Sequence, residues 1–192
     1  LAVIYKDLGK LDDSIKQSLK NIRVNPNNTT SYLLLSSTLK QSDLSAFSEK
    51  ELRFILSMLL PREDICHNDI FPVILSLINS EDLISISNLT NDLAFKESFK
   101  RVFYDPDIIK ALKIITFKSL LWEKALRAAR RYLLLSYDDS LYSPQDFELV
   151  QAISAQCFLN EYIYWFDKEE ETEIDLLKDN VLKGDINEFS IS

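Results

Sequence analysis

Glycine is nearly missing: the 192 residues hold two, Gly9 and Gly184. Phosphate-cradling loops and dinucleotide fingerprints need several glycines close together, so neither is present in this chain, and a Rossmann-type cofactor fold is not expected. Histidine is scarcer still. His67 is the only one, which excludes a multi-histidine metal site. Cys66-His67 has no partners at metal-ligand spacing, and a cap or loop role is expected there. Cys66 and Cys157 are the only cysteines and lie far apart. Two isolated thiols without a disulfide framework point to a reducing compartment, so a cytoplasmic location is expected and the N-x-T matches at Asn28 and Asn88 are read as chance. Apolar runs such as FILSMLL and YLLL stop well short of the roughly 18 residues that a membrane span requires. The start, LAVIYKDLGK, has no basic stretch before an apolar block and so no signal peptide. It begins without Met and in mid-pattern, which predicts a piece of a longer protein.

Positive charge is also in deficit. The formal net charge is −8, with 22 basic against 30 acidic residues. Residues 167–192 carry nine acids and three bases, so −6 of the total resides there. Nucleic-acid phosphates repel such a chain, and neither nucleic acid, membrane nor metal is expected as a partner. What remains is ordinary for a globular protein: 46% hydrophobic and 27% charged residues.

Period-two alternation is missing as well. Apolar residues recur at three and four, which predicts an all-α chain. The punctuation agrees. Ser48-Glu49-Lys50-Glu51 is a capping box. Asp105-Pro106 and Ser143-Pro144 each put a cap residue before a proline at the first helical position. Asn68-Asp69 opens a helix that tolerates Pro72 in its first turn, and Gly184 after Lys183 marks a helix end. The expected helices are 1–8, 11–24, 29–40, 48–60, 68–79, 81–87, 92–103, 106–116, 118–136, 144–166 and 168–183.

The stretch AQCFLNEYIYWF, residues 155–166, raises the sharpest question. On a helical wheel at about 100° per residue, Gln156, Asn160, Cys157 and Glu161 form one polar patch on an otherwise apolar helix. A helix apolar all round is expected to be central, and its patch then needs partners, because a buried unpaired carboxylate is costly. The helix at 118–136 has a buried stripe of Trp122, Leu126, Ala129 and Leu133. Arg130 borders it, while Arg127 and Arg131 point further out, and Arg130 is expected to reach Glu161 or Asn160. Arg130, Gln156, Asn160 and Glu161 are thus either a structural polar network that fixes two helices or a patch lining a groove for a partner or ligand. Cys157, on an apolar helix with no histidine nearby, is expected to be an inert thiol. The basic run Lys118, Lys124, Arg127, Arg130 and Arg131 reads as a solvated face that the acidic DKEEETEIDLLKD is available to neutralise, and that acidic stretch is assigned no chemistry of its own.

Leu1, Ala2 and Tyr5, then Gly9, then Leu11, Ile15 and Pro26 in LAVIYKDLGKLDDSIKQSLKNIRVNPNN resemble a tetratricopeptide repeat. Gly9 falls in the turn, and Asn25-Pro26 forms the exit corner. Ser14, Ser18 and Asn21 depart from the family's alanine or large apolar residues. SYLLLSSTLK would be a closing helix, and further repeats are expected before Leu1. Together with FKSLLWEKALRAARRYLLL and the run Gln156, Cys157, Phe158, Leu159, Asn160, Glu161, Tyr162, the order resembles bacterial tetratricopeptide-repeat proteins fused to an S-adenosylmethionine-dependent methyltransferase. The resemblance implies a repeat end at 1–40 and an α-helical connecting domain at 41–192, an irregular helical bundle. It implies no catalytic residue and no cofactor site here, since S-adenosylmethionine would bind a downstream domain. The expected role is a non-catalytic scaffold for protein–protein or interdomain contacts. The alternatives are an enzyme in its own right with a cleft around Glu161 and Arg130, or a purely structural spacer.

Overall fold

A computed structural model describes residues 1–88, 93–135, 143–160 and 165–183. Among the described residues there are eleven α-helices and no strand, an all-α architecture. In order they are α1 (Ala2–Asp7), α2 (Leu11–Val24), α3 (Thr29–Leu39), α4 (Glu49–Leu59), α5 (Phe71–Leu77), α6 (Ser80–Ser87), α7 (Leu93–Phe103), α8 (Pro106–Leu112), α9 (Leu120–Leu135), α10 (Pro144–Leu159) and α11 (Lys168–Lys183). A 3-10 turn, His67–Ile70, leads directly into α5 and takes up the start of the helix expected at 68–79.

Local chemistry explains most of the boundaries. α1 ends in a Schellman motif: Gly9 sits at φ +71°, its N–H donates to the Lys6 carbonyl at 2.9 Å, and the Lys10 N–H donates to the Tyr5 carbonyl at 2.8 Å. The left-handed conformation is the reason for glycine at this turn. Asn25 and Asn28 organise the next corner around exposed Pro26. The Asn25 side chain accepts from the Asn27 N–H at 3.2 Å, and the Asn28 side chain caps α3 by accepting from the Ser31 N–H at 3.3 Å. Ser48 and Glu51 form a reciprocal capping box on α4. Asp105 caps α8 ahead of Pro106, and Ser143 caps α10 ahead of Pro144, with Asp146 closing a second capping box.

The helices share one apolar cluster, from Ile15 and Ile22 in α2 through Leu35, Ile55, Ile74, Ile86 and Phe99 to Leu149 and Ile153 in α10. The first 40 residues therefore contribute to the same core as the later helices. At the N-terminus, Ala2 and Ser14 are buried where α1 meets α2, and the Ser14 hydroxyl donates to the Ala2 carbonyl at 2.9 Å. Tyr5 is half-buried beside them. Ser14 thus serves a close contact between α1 and α2 at a position where the repeat has alanine or a large apolar residue. Further along, the aromatic rings of Phe95, Phe99, Phe103, Trp122 and Tyr132 interlock at centroid distances of 5.0–6.3 Å, mostly edge to face, the arrangement that the ring quadrupoles favour.

Three expectations need correction. The helix expected at 106–116 stops at Leu112: the N–H groups of Thr116 and Phe117, which a continuing helix would use, donate instead to the side chains of Asn68 and Gln156. The helix expected at 144–166 stops at Leu159. Asn160 leaves the helical conformation at φ −95°, ψ 19°, and its side-chain amide turns back to donate to the Gln156 carbonyl at 3.1 Å. The Gln156 carbonyl also accepts from the Asn160 backbone N–H at 3.0 Å, so the side-chain amide adds a second bond to it at the helix end. Nor is α10 central. Leu149, Ala152, Ile153 and Gln156 form a single buried stripe, while Phe147 and Phe158 are 55% and 68% exposed. The helix packs on α8 and α9 along one side only, so an apolar wheel did not mean burial on every side.

Candidate functional site

Gln156 occupies the last position of the α10 stripe and is fully buried. Its Oε1 accepts from the Phe117 N–H at 3.0 Å and from the Asn160 side-chain amide at 2.6 Å. Its Nε2 donates to the carbonyls of Leu112 at 2.8 Å and Ile115 at 2.7 Å. A primary amide has two donor hydrogens and two acceptor lone pairs, and all four are used. The effect is to replace secondary structure. The connection between α8 and α9 has no helix of its own and buries Ile115 and Phe117, so its backbone needs partners there. Gln156 supplies three of them from 39 to 44 residues away. One further bond, from the Thr116 N–H to the Asn68 side chain at 3.0 Å, ties the same connection to the 3-10 turn. A polar residue in the apolar stretch 155–166 is therefore a structural hub, with no donor or acceptor left over for a ligand.

Arg130 lies at the other side of the α9–α10 contact. Its described partners are the Glu170 carboxylate, held two-pronged at 3.0 and 3.2 Å, and the Trp165 carbonyl at 2.9 Å. Both partners of the ion pair are well shielded, with side chains 13% and 5% exposed. Glu161, the partner expected for Arg130, lies outside the described residues. Arg131 reaches Asp167 and Glu169. The ring of Trp165 lies 4.1 Å from the Arg127 guanidinium and that of Phe166 lies 4.0 Å from Arg130, distances at which the negative ring face attracts the cation. The arginine face of α9 is thus covered by residues 165–170, the neutralisation anticipated from the charge pattern. Arg127, expected to point outward, is instead half-buried beneath Trp165.

The same carboxylates start α11. Asp167 accepts from the N–H groups of Glu169 and Glu170, both at 3.0 Å, and the Glu170 carboxylate accepts from the Asp167 N–H at 3.0 Å. This is a capping box built from Asp and Glu. The backbone N–H of Glu170, together with Arg131, holds the Asp167 carboxyl below its ordinary range. Nothing in the acidic run DKEEE distinguished Glu170 from its neighbours, and only its position three residues after Asp167 marked it for this part.

Cys157 lies half-buried against Arg130 and Glu170. Burial pushes its thiol up and outweighs the attraction of Arg130, so the thiol form prevails at neutral pH. His67 sits in the 3-10 turn after Cys66, with its Nε2 buried and lacking a hydrogen-bond partner among the described residues. Another feature escaped the sequence reading altogether. Arg53 of α4 forks onto Asp105 at 2.7 and 3.1 Å and onto Asp107 at 2.9 Å, while also pairing with Glu49 at 2.8 Å. It bolts α4 to the capped start of α8.

At the opposite end, α1 turns Leu1, Ile4 and Leu8 to solvent, 69%, 56% and 65% exposed. At spacings of three and four they share one face of the helix. No single helix among the described residues is long and apolar enough to cross a membrane. No family model matches the chain, and neither a curated protein nor a solved structure is found similar to it.

Proposed function

We propose that this chain is a non-catalytic helical scaffold for protein–protein or interdomain contacts, the region that precedes the catalytic domain in a tetratricopeptide-containing S-adenosylmethionine-dependent methyltransferase. The observation that carries the scaffold reading is the apolar outer face of α1, Leu1, Ile4 and Leu8, a surface suited to another protein element. The engagement of Arg130 with Glu170 and the saturation of Gln156 support the same reading, since these two groups are committed to holding helices together. The methyltransferase association rests on the resemblance of the repeat, the arginine helix and the Gln156–Tyr162 motif. The cofactor, methyl acceptor and partner belong to the parent protein in this proposal.

Calorimetric titration with S-adenosylmethionine tests it, on this chain and on a longer chain continuing past Ser192. Binding by the longer chain alone is the expected result. Binding by the 192-residue chain would overturn the non-catalytic reading, and binding by neither would overturn the methyltransferase association.

A further inference from the structure

Among its described side chains α11 buries only Glu170, and Leu176 on the same helix is 53% exposed. Among the described helices it packs substantially on α9 alone. A surface helix ordinarily stays in place by burying an apolar stripe. Here Ile174 and Leu177 are only half-buried, and charge and ring contacts add to the attachment: Glu170 on Arg130, Asp167 and Glu169 on Arg131, Trp165 on Arg127 and Phe166 on Arg130. Beneath this layer lies Cys157, in contact with the Arg130–Glu170 pair and packed on the edge of the core. The core itself runs through α2–α10 and includes no described residue of α11.

We infer that residues 165–179 form an electrostatically latched strap, which lifts from α9 as a unit, while the body stays folded, and uncovers the arginine face and the Cys157 thiol. The latch has two parts of different character. The Arg131 contacts are at the rim, with Glu169 71% exposed, and salt screens them readily. The shielded Arg130–Glu170 pair is screened far less, since the Debye length of about 10 Å at 0.1 M salt applies to charges in contact with solvent. Glu170 is thus the closing element and the Arg131 contacts a salt-sensitive adjunct.

The chain supplies its own reporter. Cys66 is exposed and Cys157 is half-covered, so a thiol reagent in excess modifies Cys66 quickly and Cys157 more slowly, at a rate that rises when opening uncovers it. Glu170→Gln is the informative variant: glutamine at this position still completes the capping box, so the start of α11 is retained while the negative charge facing Arg130 is lost. Arg131→Gln, at the rim, is the second variant. Labelling rates of Cys157 are followed by mass spectrometry, with urea unfolding of each variant followed by circular dichroism. Cys157 is expected to react about tenfold faster in Glu170→Gln, the change that about 1.4 kcal/mol produces in an opening equilibrium. Arg131→Gln is expected to react modestly faster and to lose most of the acceleration that added salt gives the unsubstituted chain. In both, that acceleration comes without a matching shift in the unfolding of the body. Unchanged Cys157 labelling in both variants would overturn the strap. So would an acceleration whose urea dependence matches that of global unfolding, for the segment would then belong to the body.

Discussion

Replacing Gln156 with methionine removes four hydrogen bonds with little change in side-chain length. The substitution leaves no large cavity, so the polar contribution is isolated. Three backbone groups lose their partner in a buried place: the Phe117 N–H and the carbonyls of Leu112 and Ile115. An orphaned buried group costs about 1–3 kcal/mol. Such costs are not additive, and the methionine regains some apolar burial, so the net loss is expected to be about 4 kcal/mol. That is a large part of the roughly 5–15 kcal/mol that a folded domain possesses. In a chain of this size it corresponds to a fall in melting temperature of roughly 10 °C. Urea unfolding, read by circular dichroism and by the fluorescence of buried Trp122, measures it. Gln156→Glu sharpens the argument. The introduced carboxyl keeps an acceptor for Phe117 and Asn160, but when ionised it confronts two carbonyl oxygens with nothing to donate. Its folded pKa is therefore raised above the ordinary glutamate value of about 4.3. Relative to the unsubstituted chain, this variant is least impaired below that value and loses stability as pH rises towards the raised folded pKa. A Gln156→Met protein within about 1 kcal/mol of the unsubstituted chain would refute the reasoning, because the connection would then satisfy its backbone without the hub.

Other perturbations test the remaining joints. Gly9→Ala meets no neighbouring atom within 4 Å, so its cost is conformational alone, about 1 kcal/mol by urea unfolding, and Gly9→Asn is expected to cost less. Arg53→Met leaves Asp105 and Asp107 side by side without a counter-ion and is expected to destabilise by roughly 1–2 kcal/mol, discounted because Arg53 is partly exposed; a double-mutant cycle with Asp107→Asn should recover part of this as coupling. Arg101 with Ser98 holds the Asp82 carboxyl below its ordinary range against some desolvation. Asp146 is lowered too, where burial is outweighed by the Tyr104 hydroxyl and the Ser143 bonds. Depressed carboxylates stabilise fully above the unfolded value of about 3.9 and progressively less as pH falls below it. Thermal melts from pH 7 to 3 should therefore fall mainly below about pH 4, and Asp82→Asn should flatten part of that fall.

Local signals were read correctly because their chemistry is local. Ser48 with Glu51, Asp105 with Pro106, Ser143 with Pro144 and Gly9 each act within a few residues, and each stands where its pattern placed it. The buried stripe of Trp122, Leu126, Ala129 and Leu133 followed from spacing alone. Distant partners did not. Gln156 and Phe117 are 39 residues apart, Arg130 and Glu170 40, and Arg53 and Asp105 52. A wheel diagram identified the polar patch on α10 but could not show that backbone groups, rather than a charged side chain, would be the main partners of Gln156. Nor could it place Phe147 and Phe158 in solvent, since exposure depends on which neighbours arrive. The early end of α8 has the same origin: residues 113–115 still bond back into α8, but the Thr116 and Phe117 N–H groups turn to the distant side chains of Asn68 and Gln156. The Glu161 half of the anticipated ion pair lies outside the described residues.

Asp167 and Glu170 begin α11 and also fasten it to α9. Winding the first turn of that helix and seating it on the arginines therefore draw on the same two carboxylates: Oε2 of Glu170 serves both, while Asp167 caps with Oδ1 and meets Arg131 with Oδ2. The two processes are thermodynamically linked: a seated segment is predisposed to be helical, and a helical segment already presents its carboxylates at the spacing that Arg130 and Arg131 require. The helical content of residues 168–183 is consequently a gauge of attachment, and a change at either carboxylate alters folding and fastening together.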